Sequence, residues 1–126
     1  MVAPRLGRVQ MKIMQVLWEK GHANAREITA SLNLSEPIAH STVQTLLRKL
    51  ETKGAIRHEA LERTFVFYPM VKEDKVKRLA AHDLMERVFG GSVAELVSYL
   101  LKHENVPREE MDQIHRLIGQ QKRKPM

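Results

Sequence analysis

A mainly α chain with one small β-hairpin is predicted by three observations. Apolar residues recur at three- and four-residue intervals on both sides of the middle of the sequence, a β-branched and aromatic run ending at Pro69 lies between them, and glycines or capping residues mark the joints. The length of 126 residues admits one domain, or a small one with a helical appendage, and argues against a large multidomain enzyme. With 43% hydrophobic residues the chain can bury a core, and the absence of cysteine removes disulfides, thiolate metal sites and a thiol nucleophile together. No cationic start precedes an apolar run, and no apolar stretch nears the roughly 18 residues of a membrane span. A soluble, cytoplasmic protein with no membrane partner is expected.

The elements follow in order. Leu6, Val9, Ile13, Val16 and Leu17 make the stripe of a first helix from Leu6 to Lys20, with Gly21 where a C-cap belongs. Asn24 and Glu27 have the spacing of a capping box and open a second, shorter helix, in which Ile28 and Leu32 make a short apolar stripe before Asn33. Pro37 breaks any helix through it. Ser41 with Gln44 has the form of another capping box, so a third helix is expected from about Thr42 to Lys53, stopping at Gly54. Its residues Val43, Leu46, Leu47 and Leu50 fall on one face, which must be buried against the first two helices. Ser41, Thr45, Arg48 and Thr52 project from the other side, flanked by Gln44 and Lys49. A merely solvated surface would carry more Glu and Lys in i,i+4 pairs and fewer hydroxyls.

Ile56–Ala60 and Thr64–Tyr68 read as two strands joined by the turn Leu61, Glu62 and Arg63. Phe65 and Phe67 share one strand face, so these two and Tyr68 are expected in core and sheet, while Arg63 near the tip suits a phosphate. Three helices and then a hairpin is the order of a winged helix-turn-helix domain, assigned to residues 1–70. Beyond it, Val76, Leu79, Ala80, Leu84 and Val88 mark a long helix that ends at Gly90 and Gly91. Ser92 with Glu95 has the form of a capping box ahead of a helix carrying Val93, Leu96, Val97, Leu100 and Leu101. Pro107 suits the first turn of a last helix, with Glu109 and Glu110 near its positive end and Met111, Ile114, Leu117 and Ile118 as its stripe. So small a helical set buries little alone, and a second copy of the chain is the natural source of the missing surface. Residues 71–121 are therefore assigned to a helical dimerisation domain and residues 122–126 to a solvated basic tail.

The formal net charge is +6, and it is unevenly spread. Residues 1–70 hold 10 basic and 6 acidic side chains, whereas residues 71–121 hold 8 and 9. A basic N-terminal unit beside a near-neutral one suggests that the first meets a polyanion and the second something else. A DNA major groove admits one α-helix, and short polar side chains and Arg reach its base edges. On that geometry Thr42, Gln44, Thr45 and Arg48 are assigned to bases, and Ser41, Lys49 and Arg63 to phosphates of a double-stranded operator. Dimerisation would set two such helices about one DNA turn apart and convert a half-site into a palindrome. A winged-helix module whose third helix docks on protein rather than DNA is the alternative that the residues leave open.

Four segments resemble the penicillinase repressor family of BlaI/MecI/CopY-type regulators: VLWEKG at Val16–Gly21, AREI at Ala25–Ile28, STVQTLLRKLETKG at Ser41–Gly54 and VFGGSVAELV at Val88–Val97. The resemblance covers nearly the whole chain in order. It implies a dimeric winged-helix repressor of palindromic operators, cytoplasmic and without catalysis, with Thr42 and Thr45 facing DNA and Gly90-Gly91 between dimerisation helices. Three departures bear on mechanism. Gln44 stands where the antibiotic-resistance repressors carry arginine, which exchanges a guanine-type contact for one suited to adenine. Ser98-Tyr99 replaces the Asn-Phe bond cut during induction, which leaves any regulatory protease unspecified. The paired cysteines of the copper-responsive branch are missing, which excludes thiolate metal control.

The remaining signals are set aside. Six histidines at 22, 40, 58, 82, 103 and 115 show no i,i+3 or i,i+4 pair, so no metal is expected. His40, just ahead of the third helix, is read as solvent-exposed in preference to phosphate-bound. The methionines, Met11, Met14, Met85 and Met111 among them, suit gap-filling in a core. No phosphate-binding glycine loop, nucleophile elbow or metalloprotease helix is present, so neither a cofactor nor an enzyme activity is expected.

Overall fold

A computed structural model describes residues 5–124. Its elements are α1 (Arg8–Lys20), β1 (Ala23–Asn24), α2 (Ala25–Asn33), α3 (His40–Thr52), β2 (Ile56–Leu61), β3 (Thr64–Pro69), α4 (Glu73–Phe89), α5 (Val93–His103) and α6 (Arg108–Lys122). The three predicted helices and the hairpin are present in the predicted order, and the N-terminal part is a winged helix-turn-helix. Contacts divide the chain into two units within α4, one ending at His82 and the other beginning at Asp83.

In the first unit, apolar faces of α1, α2 and α3 close over one another and over the sheet. Ile13, Met14, Leu17, Ile28, Leu47 and Leu50 are its largest fully buried side chains. Gly21 ends α1 at φ 87°, a left-handed conformation that favours glycine, and its N–H donates to the Leu17 carbonyl at 2.7 Å. Asn24 and Glu27 form the reciprocal capping box: the Asn24 side chain accepts from the Glu27 N–H at 2.8 Å, and the Glu27 carboxylate accepts from the Asn24 N–H at 2.9 Å. Residues Ala23 and Asn24 also pair with Phe67 and Val66, which completes an antiparallel sheet of order β1-β3-β2. Two residues are too few to show strand periodicity, so β1 has no signature in the sequence.

Several local expectations are corrected. Ser41 is not the N-cap of α3: the helix starts two residues before the predicted Thr42, at His40, where the Thr42 and Val43 N–H groups donate to the Ala39 carbonyl at 3.1 and 3.2 Å. Leu61 belongs to β2, paired with Thr64, so the turn contains only Glu62 and Arg63. Glu62 adopts φ 59°, where Gly or Asn usually stands in such a tight hairpin. Phe67 is buried as expected and Tyr68 is half-buried, with the Arg57 guanidinium 4.3 Å from its ring centroid, but Phe65 remains 55% exposed. Phe65 and Phe67 do share a face; the core beneath that face ends at Phe67.

Polar side chains brace this unit at three places. Trp18 Nε1–H donates to the Val71 carbonyl at 2.8 Å, fastening the segment after β3 to α1. Lys53 Nζ donates to buried Gln10 at 3.0 Å and to the Arg5 carbonyl at 2.8 Å, joining the end of α3 to the start of α1. Glu36, in the α2–α3 loop, pairs with Arg8 at 2.9 Å and Lys12 at 3.0 Å.

In the second unit, the Gly90 and Gly91 pair has φ 58° and 79°, and the Ser92 hydroxyl accepts from the Glu95 N–H at 3.1 Å. The reciprocal half of the expected box is replaced by a bond from the Ser92 N–H to the Phe89 carbonyl at 3.0 Å. Pro107 is the N-cap of α6 and precedes its first turn. The helix runs on to Lys122, through Gln120 and Gln121, where apolar periodicity has already stopped. No residue of α5 or α6 is buried.

Hydrogen bonds from Arg8 and then Lys12 hold the Glu36 carboxyl below its ordinary value of 4.5. A carboxylate depressed by folding contributes stability above its unfolded pKa and loses that contribution as pH falls through the folded one. Denaturant melts of wild type and Glu36→Gln should therefore differ at neutral pH and converge below about pH 4. A constant difference across that window would contradict the loop clamp.

Candidate nucleic-acid interface

The site is built on α3. Val43, Leu47 and Leu50 are buried and Leu46 is half-buried, so the predicted apolar stripe meets the protein. Helical geometry then turns the opposite flank outward. Ser41, Thr42, Gln44, Thr45, Arg48 and Lys49 are all exposed, as is Arg63 in the hairpin turn.

Their hydrogen bonds sort them. The Thr45 hydroxyl donates to the Ser41 carbonyl at 3.1 Å and accepts from Arg48 Nη2 at 3.4 Å, so it presents its methyl and one lone pair while it steadies the guanidinium. Thr52, one turn beyond Arg48, donates its hydroxyl to the Arg48 carbonyl at 3.0 Å. Among the described residues, Thr42, Gln44, Lys49 and Arg63 engage no protein partner through their side chains, leaving donors and acceptors for an incoming ligand.

A groove runs between α3 and the hairpin, and it gathers Gln44, Arg48 and Arg63 from the predicted set. Ser41, Thr42, Thr45 and Lys49 do not line it; they occupy the outer face of α3 beside it. The groove also takes in residues outside that set, Arg26 and Phe65 among them. Arg26 enters from the first turn of α2, and its signal was present in the Ala25–Ile28 segment, where an arginine follows a helix cap. Phe65 enters from β3 because the core ends one pair short of it. Its ring lies 4.4 Å from that of His58, whose Nδ1 meets the Glu51 carboxylate at 2.7 Å. Glu51 is the one carboxylate in the groove, so three guanidinium groups face it almost uncompensated.

The turn that places α3 is tied by Asn33. Its side-chain amide donates to the Thr29 and Ile38 carbonyls at 2.8 and 3.0 Å, and its oxygen accepts from the Ile38 N–H at 3.1 Å. His40 is not solvent-exposed as expected. It is half-buried, with Nδ1 at 2.8 Å from the Thr29 hydroxyl of α2.

Forked donors on a protruding helix and on a hairpin tip, with an amide and methyls between them, suit a phosphate backbone and the base edges it borders. Among the described residues no three His, Asp or Glu side chains converge to hold a metal ion, and no helix is long and apolar enough to cross a membrane.

The family profile described as penicillinase repressor matches residues 6–120. The penicillinase repressor of Bacillus licheniformis is 24% identical over 119 residues, covering 94% of this chain and 93% of the relative. The solution structure of the DNA-binding domain of the repressor BlaI is similar at 29% identity and a TM-score of 0.53, over 58% of this chain and 89% of that one. The B. licheniformis BlaI monomeric form in complex with the blaP half-operator is similar at 29% identity and a TM-score of 0.51, with the same coverage.

Proposed function

This chain belongs to the penicillinase repressor family and is a DNA-binding transcriptional repressor rather than an enzyme; from that premise we propose that it grips a palindromic operator as a homodimer, with α3 in the major groove. The observation that carries this reading is the exposed polar flank of α3 beside a groove holding Arg26, Arg48 and Arg63. Thr42, Gln44, Thr45 and Arg48 read base edges, with Gln44 suited to adenine and the Thr45 methyl to thymine. Ser41, Lys49 and Arg63 hold phosphates on either side, which sets register without reading sequence. Residues 1–70 bind DNA and residues 71–121 dimerise; of the basic tail expected at 122–126, Lys122 closes α6 and residues 125–126 lie outside the described residues.

Support for the dimer comes from apolar surface. Val93 is 61% exposed, Leu100 42%, Leu117 54% and Ile118 48%, so the stripes of α5 and α6 are left in water by a single chain. A second copy would cover them. Ser98-Tyr99 lies inside α5 and lacks the Asn-Phe pair cut during induction, so release of the operator is not tied to cleavage there.

A dimer that neutralises about 6 to 10 phosphates should lose affinity with salt at a log–log slope of roughly −5 to −9. Retention of a selected duplex measured across salt concentrations checks this, and a flat profile would favour a protein-docking module. Arg48→Ala should weaken binding to the selected site more than to mixed sequence, by about 1–3 kcal/mol of lost discrimination. Equal weakening on every sequence would make Arg48 a phosphate contact. Leu100→Asp should halve the sedimenting mass at micromolar protein, and an unchanged mass would remove α5 from the dimer interface.

A further inference from the structure

We propose that His40 is a proton-linked phosphate contact of the DNA interface: its ring is oriented by Thr29 so that only the protonated form offers an N–H to the groove. The proposal rests on the DNA-binding reading above and adds a residue and a regulation to that site.

The orientation follows from a count of protons. The Thr29 hydroxyl has one hydrogen, which it donates to the Ala25 carbonyl at 2.8 Å, completing an i−4 bond within α2. The same oxygen is 2.8 Å from His40 Nδ1. With its hydrogen spent, Thr29 Oγ1 accepts, and Nδ1 must be the protonated nitrogen. In the neutral ring Nε2 is then a bare lone pair, which repels a phosphate oxygen. A second proton turns Nε2 into a cationic donor and creates a charge-assisted bond to the same oxygen.

The surroundings give that proton a purpose only when DNA is present. His40 lines the groove together with Arg26 of α2, Arg48 and Glu51 of α3, His58 of β2 and Arg63 of the hairpin turn. Glu51 is engaged by His58, so no free carboxylate in the groove offsets a charge on His40. A phosphate backbone laid across α3 supplies the missing counter-charge. By linkage, a proton taken up at His40 on binding makes affinity fall as pH rises. His58 also faces the groove, and its protonation would strengthen the Glu51 pair, so the two histidines must be separated by substitution.

Calorimetry of the full chain with a mixed-sequence DNA duplex at low salt, repeated in buffers of different ionisation enthalpy near pH 6.5, reads proton uptake directly. Wild type should take up a fraction of a proton per chain, and its affinity should be about tenfold higher at pH 5.5 than at pH 8, the worth of one charge-assisted bond. His40→Gln should lose most of both effects, and the double variant Glu51→Gln with His58→Gln, which removes the other histidine without freeing a carboxylate, should keep them. Thr29→Val, which removes the orienting oxygen, should reduce the uptake although His40 remains. Equal uptake by wild type and His40→Gln would overturn the proposal with DNA binding intact. Failure of wild type to bind the duplex at any pH would overturn the repressor reading itself.

Discussion

Burial of Val43, Leu47 and Leu50 beneath α1 and α2 is the constraint from which the interface follows. Each of these side chains contributes about 2 kcal/mol on leaving water, whereas a side-chain cap contributes about 1 kcal/mol. That ratio explains why α3 is firmly placed although Ala39, at its N-cap, offers no side-chain bond. It also sets rotation. A helix advances by about 100° per residue, so a roll of one position would bury Gln44 and Arg48 and expose the leucines. No polar interaction is needed to aim the outward flank.

Polar braces act at a finer level. Asn33 closes the α2–α3 turn with three hydrogen bonds, Thr29 and His40 join the two helices directly, and Lys53 with Gln10 ties the far end of α3 to α1. Bonds of this kind contribute about 1 kcal/mol each, too little to decide the fold but enough to choose among nearby helix angles. Groove insertion depends on such angles. The Trp18 bond to Val71 has another consequence: it anchors the segment that leads out of the sheet, so Val76 on α4 is buried with the first unit.

Exposed apolar residues fall into two kinds. Phe65 stands among arginines and a histidine at the rim of a charged groove, where an aromatic face can lie against a sugar or a cation. The residues on α5 and α6 form stripes of regular spacing, with Ser92 capping α5 and Pro107 ahead of α6, yet none is buried within its own chain. Helices whose caps and periodicity agree so well are not failed cores, and a covering surface from outside the chain accounts for them.

Much of this was legible in the sequence because it is written in local chemistry. Helical spacing at Ile13–Leu17 and Val43–Leu50, the Asn24–Glu27 box, and the glycines at 21, 54, 90 and 91 act within one or two turns of chain, so residue identities alone determine the six helices, the hairpin and the polar flank of α3. Contacts between distant segments decided the rest. The pairing of Ala23 and Asn24 with β3, the start of α3 at His40 ahead of Ser41, and the capture of His40 by Thr29 depend on where other elements lie, and a local pattern holds no record of that. Phe65 makes the difference plain: alternation placed it correctly on the face of Phe67, but whether that face had anything beneath it at residue 65 was a question of core size, which only packing in three dimensions answers.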